Sequence, residues 1–105
     1  METNAQQESE KINKVNVDLK NLGTPNKNKV VLSVNGKGTL SLWFSYETIV
    51  SFAVNTPTEY DNKTIVNLWS NTTGKLLNDC EPDKKKRVSE EEFKKALTKA
   101  FNLLF

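Results

Sequence analysis

The chain has 105 residues and no histidine. That absence excludes a Ser-His-Asp triad, a Cys-His dyad, an imidazole-held metal or haem, and a histidine pH switch. Cysteine is almost as scarce. Cys80 stands alone, so an internal disulfide, a zinc ribbon and a Cys-x-x-Cys redox pair are excluded, and a reducing compartment is the expected home. Apolar runs stop at three residues, as at 30–32 and 42–44. A membrane span needs about 20. The first ten residues are polar and hold three glutamates, the reverse of a secretory leader. The expectation is a protein of the (host) cytoplasm that does not engage a membrane.

What is present suits one compact domain with a core of its own. The formal net charge is +2, unevenly spread. Residues 1–10 carry −3, and residues 11–40 carry +5 from six lysines against Asp18. Such a lysine-bearing half suits phosphates, and equally a solvated strand surface with edge-protecting lysines.

Residues 1–10 read as a disordered arm and 11–105 as the domain. Ile12, Val15, Val17 and Leu19 suggest a first strand, and Pro25 with its asparagines a loop over 23–28. Val30 to Val34 is β-branched, and Asn35-Gly36 predicts a tight hairpin turn on positive φ. From Thr39 to Tyr46 the chain alternates. Leu40, Leu42, Phe44 and Tyr46 take one face; Thr39, Ser41, Trp43 and Ser45 take the other. Thr48 to Val54 is the next strand, 55–62 a loop, and Lys63 to Trp69 a further strand. A short helix is expected over Lys75 to Cys80, capped by side-chain oxygens in 70–73 and stopped by Pro82. Ser89 and Glu92 make a Ser-x-x-Glu capping box. Phe93, Leu97, Ala100, Phe101 and Leu104 then form one apolar stripe. The fold class is therefore α+β: a four- to five-stranded, mostly antiparallel sheet with a C-terminal helix packed on one face.

Catalytic chemistry finds little purchase. Asp18, Glu47, Glu59 and Asp61 are scattered, with nothing to hold two across a substrate. Cys80 has no base, and Glu81 beside it raises a thiol pKa. The segment 81–93 ends like a calcium-binding loop, with Val88, Ser89 and Glu92 in place, but Lys85 and Lys86 occupy a ligand position and the required glycine position. Thr72-Thr73-Gly74-Lys75 has the wrong order for a phosphate loop. The expectation is a protein that is not an enzyme and needs no metal or cofactor.

The basic run Lys84, Lys85, Lys86 and Arg87 can grip phosphate, though flanking carboxylates make it equally a solvated loop. Trp43 lies among Thr39, Ser41 and Ser45, and Trp69 with Ile65 and Asn67. Two indoles on a lysine-bearing sheet face make a stacking platform for unpaired bases, or an anchor for a protein partner. Alternatively Ile49, Ala53 and Ile65 pack both indoles into a small second core.

The stretches Trp43-Phe44-Ser45-Tyr46-Glu47-Thr48-Ile49-Val50-Ser51-Phe52 and Asn67-Leu68-Trp69-Ser70-Asn71-Thr72-Thr73-Gly74-Lys75-Leu76-Leu77-Asn78, with the charged loop and the Glu-Glu-Phe helix start, resemble a family of small uncharacterised phage, plasmid and archaeal proteins. The resemblance covers about residues 40–95 and implies a mobile-element origin without an activity. The expected function is non-catalytic binding of nucleic acid through Trp43, Tyr46 and Trp69 with Lys29, Lys37 and Lys75, assisted by 84–87. The alternative is an inhibitor or accessory factor directed at a host defence protein. A homodimer through an open sheet edge is compatible with both.

Overall fold

The computed structural model describes residues 15–67 and 71–105. The expected 1–10 arm, the start of the first strand and Trp69 lie outside the described residues. Five strands, β1 (Val15–Asn21), β2 (Lys27–Val34), β3 (Gly38–Ser45), β4 (Thr48–Asn55) and β5 (Tyr60–Thr64), form one sheet. Their order follows the chain, and every neighbouring pair is antiparallel. Helix α1 (Asn71–Cys80), a 3-10 turn (Lys84–Lys86) and helix α2 (Glu90–Leu104) follow. The α+β architecture with a C-terminal helix is the one the patterning predicts.

Short turns join the strands. Lys37 N–H donates to the Val34 carbonyl at 3.0 Å across the β2–β3 turn. Gly36 takes the positive φ there, at 78°, while Asn35 does not, so the turn rests on the glycine alone. The expected 55–62 loop is shorter, and Tyr60 already belongs to β5. Thr56 makes this possible. Its hydroxyl accepts from Glu59 N–H at 2.9 Å, and its own N–H donates to the Glu59 carbonyl. The 23–28 loop is likewise trimmed, because β2 begins at Lys27.

One β3 face assignment needs correction, that of Tyr46. Alternation in β3 holds through Ser45 with its β2 pairing unbroken, and it is β4 that slips. Trp43 pairs with Ser51, but Phe44 pairs with Ile49, which leaves Val50 as an extra residue on β4. A one-residue slip exchanges the faces of the strand that carries it. Ser45 keeps the face it was expected to share with Trp43 and is buried there against α1. Tyr46 is no strand residue at all. It sits in the β3–β4 turn with φ 57°, a strained setting for a bulky side chain, and its N–H donates to the Asn26 carbonyl at 2.6 Å.

The core lies on one side of the sheet, where Leu40, Leu42, Phe52 and Val54 meet Phe93, Ala100 and Leu104 of α2. Phe52 and Phe93 are the central aromatic pair, ring centres 5.7 Å apart. The predicted apolar stripe is the buried face of α2, and Ser89 Oγ accepts from Glu92 N–H at 3.2 Å, as its capping position requires. α2 lies over β3 and β5, and β1 keeps Val17 and Leu19 exposed.

Helix α1 starts four residues earlier than expected, so 72–74 lie inside it rather than before it. The observed order after β5 also differs from a strand reaching residue 69. Ile65 makes an isolated parallel bridge to Val88, with Val88 N–H donating to the Thr64 carbonyl and Val66 N–H to the Val88 carbonyl, both at 2.9 Å. The linker between the helices is thus stitched to the sheet margin, and α1 packs by β4 with Leu76 and Leu77 in the core.

Candidate functional site

The face of the sheet away from α2 is polar, and register makes it readable. Three cross-strand rows run over it: Asn16, Ser33, Thr39, Asn55 and Tyr60; Asp18, Val31, Ser41, Ala53 and Asn62; Lys20, Lys29, Trp43, Ser51 and Thr64. Directly opposed residues share a face. Lys29 therefore stands beside Trp43, and its Nζ lies over the indole, 4.9 Å from the ring centre. That cation–π contact stabilises by about 0.5–2 kcal/mol and holds the ring in place. Trp43 itself is half-buried and packs against the core margin.

A groove of about 600 Å³ opens next to this pair, between the polar face and the C-terminal end of α1. Lys20, Lys27, Tyr60 and Asn62 line it on the sheet side, Asp79 and Glu81 on the helix side. Ser51 and Thr64 are buried and share a hydrogen bond of 2.7 Å. Ser51 also hydrogen-bonds Cys80. Burial pushes the Cys80 thiol up, and Asp79 adds to this; Ser51, Arg87 and Lys29 pull the other way without reversing it. The direction is the expected one, but burial and Asp79 cause it, not Glu81. A thiol held neutral is a poor nucleophile.

The basic residues separate into groups. Lys75 of α1, Lys84 of the 3-10 turn and Arg87 line a second groove of about 600 Å³, together with Val66, Asn67, Gly74 and Asn78. No carboxylate is among these lining residues. Arg87 is only 9% exposed. Its Nη2 donates to Asn78 Oδ1 at 2.6 Å and its Nε to the Glu81 carbonyl at 3.0 Å. It therefore ties the linker to α1 and is not part of a solvated run. Lys85 and Lys86 are exposed on the turn but do not line this groove. Asp83 caps that turn, its Oδ1 accepting from Lys85 N–H at 3.0 Å.

Tyr46 and Lys37 join neither groove. Tyr46 lines a small hollow of about 240 Å³ with Ser45, Thr48, Val50 and Thr73. Lys37 occupies the β2–β3 turn, at the other end of the strands from the Lys29–Trp43 row. Strands rise about 3.3 Å per residue, so some 20 Å separates them. The single platform expected around Trp43, Tyr46, Lys29, Lys37 and Lys75 is thus divided. Trp69 lies outside the described residues. Lys20, Lys27 and Tyr60 are the lining residues that patterning missed. Lys20 faces Lys29 only once the β1–β2 register is known, and Tyr60 reads as loop.

Among the described residues no group of three or more His, Cys, Asp or Glu side chains is placed to hold a metal ion. No described helix is long and apolar enough to cross a membrane. A family model described as a family of unknown function (DUF8033) matches residues 3–95. No curated protein matches the chain, and no solved structure does.

Proposed function

The chain belongs to this family of unknown function, and on that premise we propose that it is a non-catalytic nucleic-acid-binding protein of a phage or other mobile element, acting in the host cytoplasm. One observation carries the reading. Lys75, Lys84 and Arg87 are separated in sequence but converge on one groove that no carboxylate lines. Exposed ammonium groups around such a groove neutralise phosphates and release their counterions. Arg87 contributes field from a fixed position, while Lys75 and Lys84 remain free to reach a backbone. On the other flank of α1, Trp43 with Lys20, Lys27, Lys29 and Tyr60 offers an aromatic–cationic surface of the kind that engages unpaired bases. Tyr46 and Lys37 drop out of the contact set because the fold places them elsewhere.

The test is fluorescence anisotropy of a labelled single-stranded oligonucleotide at low salt. Binding is expected to weaken steeply with salt, and Lys75→Glu/Lys84→Glu to lower affinity by about tenfold or more. No anisotropy change at low salt, or equal binding by the double variant, overturns the reading.

A second reading, an inhibitor or accessory factor directed at a host defence protein, is favoured by the exposed Val17 and Leu19 on β1. Apolar side chains on a sheet edge suit strand addition by a protein partner. It predicts stable co-purification with a host protein after nuclease treatment.

A further inference from the structure

Val17 and Leu19 are 66% and 68% exposed on β1, the first strand of the sheet. β1 pairs with β2 through seven unbroken residue pairs, and among the described residues no strand lies on its other side. An edge like this presents unpaired N–H and C=O groups that another strand can take up. Proteins usually blunt such edges with proline, a bulge or a charge on the apolar side. β1, Val-Asn-Val-Asp-Leu-Lys-Asn, has none of these. Its two charges, Asp18 and Lys20, both fall on the polar face, where they leave the apolar side continuous.

Those charges select an occupant. Lys20 lies directly opposite Lys29 within the chain, a like-charge pair. Among the described residues neither Asp18, Lys20 nor Lys29 makes an ion pair. A strand added to this edge is therefore favoured when it brings a carboxylate next to Lys20 and a cation next to Asp18, two residues apart on one face. β1 itself carries that pattern, reversed by an antiparallel approach.

We infer that β1 is the joint of a homodimer, two copies pairing antiparallel about a two-fold axis at Leu19, so that Asp18 of each faces Lys20 of the other. The sheets then join into one of ten strands. A two-fold axis passing through a β1 residue keeps both apolar faces on the same side. Charge then decides among the possible positions. An axis at Asp18 opposes two aspartates, and one at Lys20 opposes two lysines. One at Val17 sets Asp18 against Asn16 and leaves it without a cation. An axis at Leu19 gives two opposite-charge pairs on the polar face. On the apolar face it gives a Leu19–Leu19 contact flanked by the half-buried Val30 and Leu32 of each β2. The second copy's Asp18 completes the row Lys20, Lys29, Trp43 and relieves its repulsion.

The test is sedimentation equilibrium of the full chain up to about 100 μM, where even a micromolar dimer is populated. The wild type is expected to be dimeric. Asp18→Lys and Lys20→Asp, each of which opposes like charges twice, are expected to weaken dimerisation by about tenfold or more. The double variant D18K/K20D exchanges the charges and is expected to restore the dimer. All three positions are exposed, and circular dichroism verifies that each variant keeps the fold. In a Cys80→Ser background, Leu19→Cys is expected to form an intermolecular disulfide on oxidation, because directly opposed residues fall within bridging distance. A monomeric wild type overturns the inference. So does a dimer that is indifferent to the single charge changes, is not restored by the double, or fails to cross-link at residue 19.

Discussion

Ser45 Oγ and Thr73 Oγ1 share a buried hydrogen bond of 2.8 Å that fastens the C-terminal end of β3 to helix α1. Helix α1 covers Ser45, and Thr73 supplies the only polar partner its hydroxyl has among the described hydrogen bonds. Thr73→Val keeps the shape and leaves Ser45 buried and unpaired. It is expected to cost about 1–3 kcal/mol in urea denaturation. Adding Ser45→Ala removes the stranded hydroxyl and is expected to recover part of that loss, because two missing partners are tolerated better than one.

Gly38 and Gly36 both have positive φ, at 136° and 78°, but their surroundings differ. A side chain at Gly36 meets open space, whereas one at Gly38 collides with the backbone carbonyl of Asn55 on β4. Gly36→Ala is expected to cost about 1 kcal/mol, the strain of a left-handed residue alone. Gly38→Ala is expected to cost about 3 kcal/mol or more, since the β3–β4 backbone must move. Thermal or urea unfolding of the two variants separates the effects.

Arg87 differs in kind from the lysines around it. Arg87→Ala strands Asn78 Oδ1 and the Glu81 carbonyl and empties a buried position, for an expected loss of about 2–3 kcal/mol. Lys75→Glu and Lys84→Glu change exposed side chains and are expected to stay within about 0.5 kcal/mol of the parent. Measuring stability and oligonucleotide affinity on all three distinguishes the residue that holds the linker from those that meet a ligand.

The pH response of Cys80 follows from its burial. The thiol pKa in the folded chain lies above that of the unfolded chain, so the folded state keeps its proton where the unfolded state has lost it. The associated stability is complete below the ordinary thiol pKa and is lost as pH rises through the raised folded value. Urea midpoints are expected to fall on the alkaline side, and Cys80→Ser to remove that component of the fall. Iodoacetamide is expected to react slowly near neutral pH, its rate still climbing where a free thiol has levelled off.

How much was legible before the fold can be argued from particular residues. The α2 stripe of Phe93, Leu97, Ala100, Phe101 and Leu104 and the Ser89 cap were legible because a helix repeats locally and its cap is one turn away. The β3 face through Trp43 was legible for the same reason, with a period of two. Tyr46 was misassigned because it leaves the strand for the β3–β4 turn, where its N–H meets the Asn26 carbonyl from a loop twenty residues away. Arg87 read as one of four solvated cations because its partners, Asn78 and the Glu81 carbonyl, are brought to it by the fold.

The order of residues along the chain determined which segments alternate, where the glycine turn and the capped helix fall, and that no imidazole chemistry is open to this protein. Only the tertiary structure decided that Lys75, Lys84 and Arg87 share a groove, that Lys37 and Tyr46 stand apart from Trp43, and that Val17 and Leu19 remain uncovered. Local pattern is set by the geometry of one strand or one helix. Which side chains meet depends on register and on where the helices lie across the sheet, and those are settled by contacts between residues far apart in the chain.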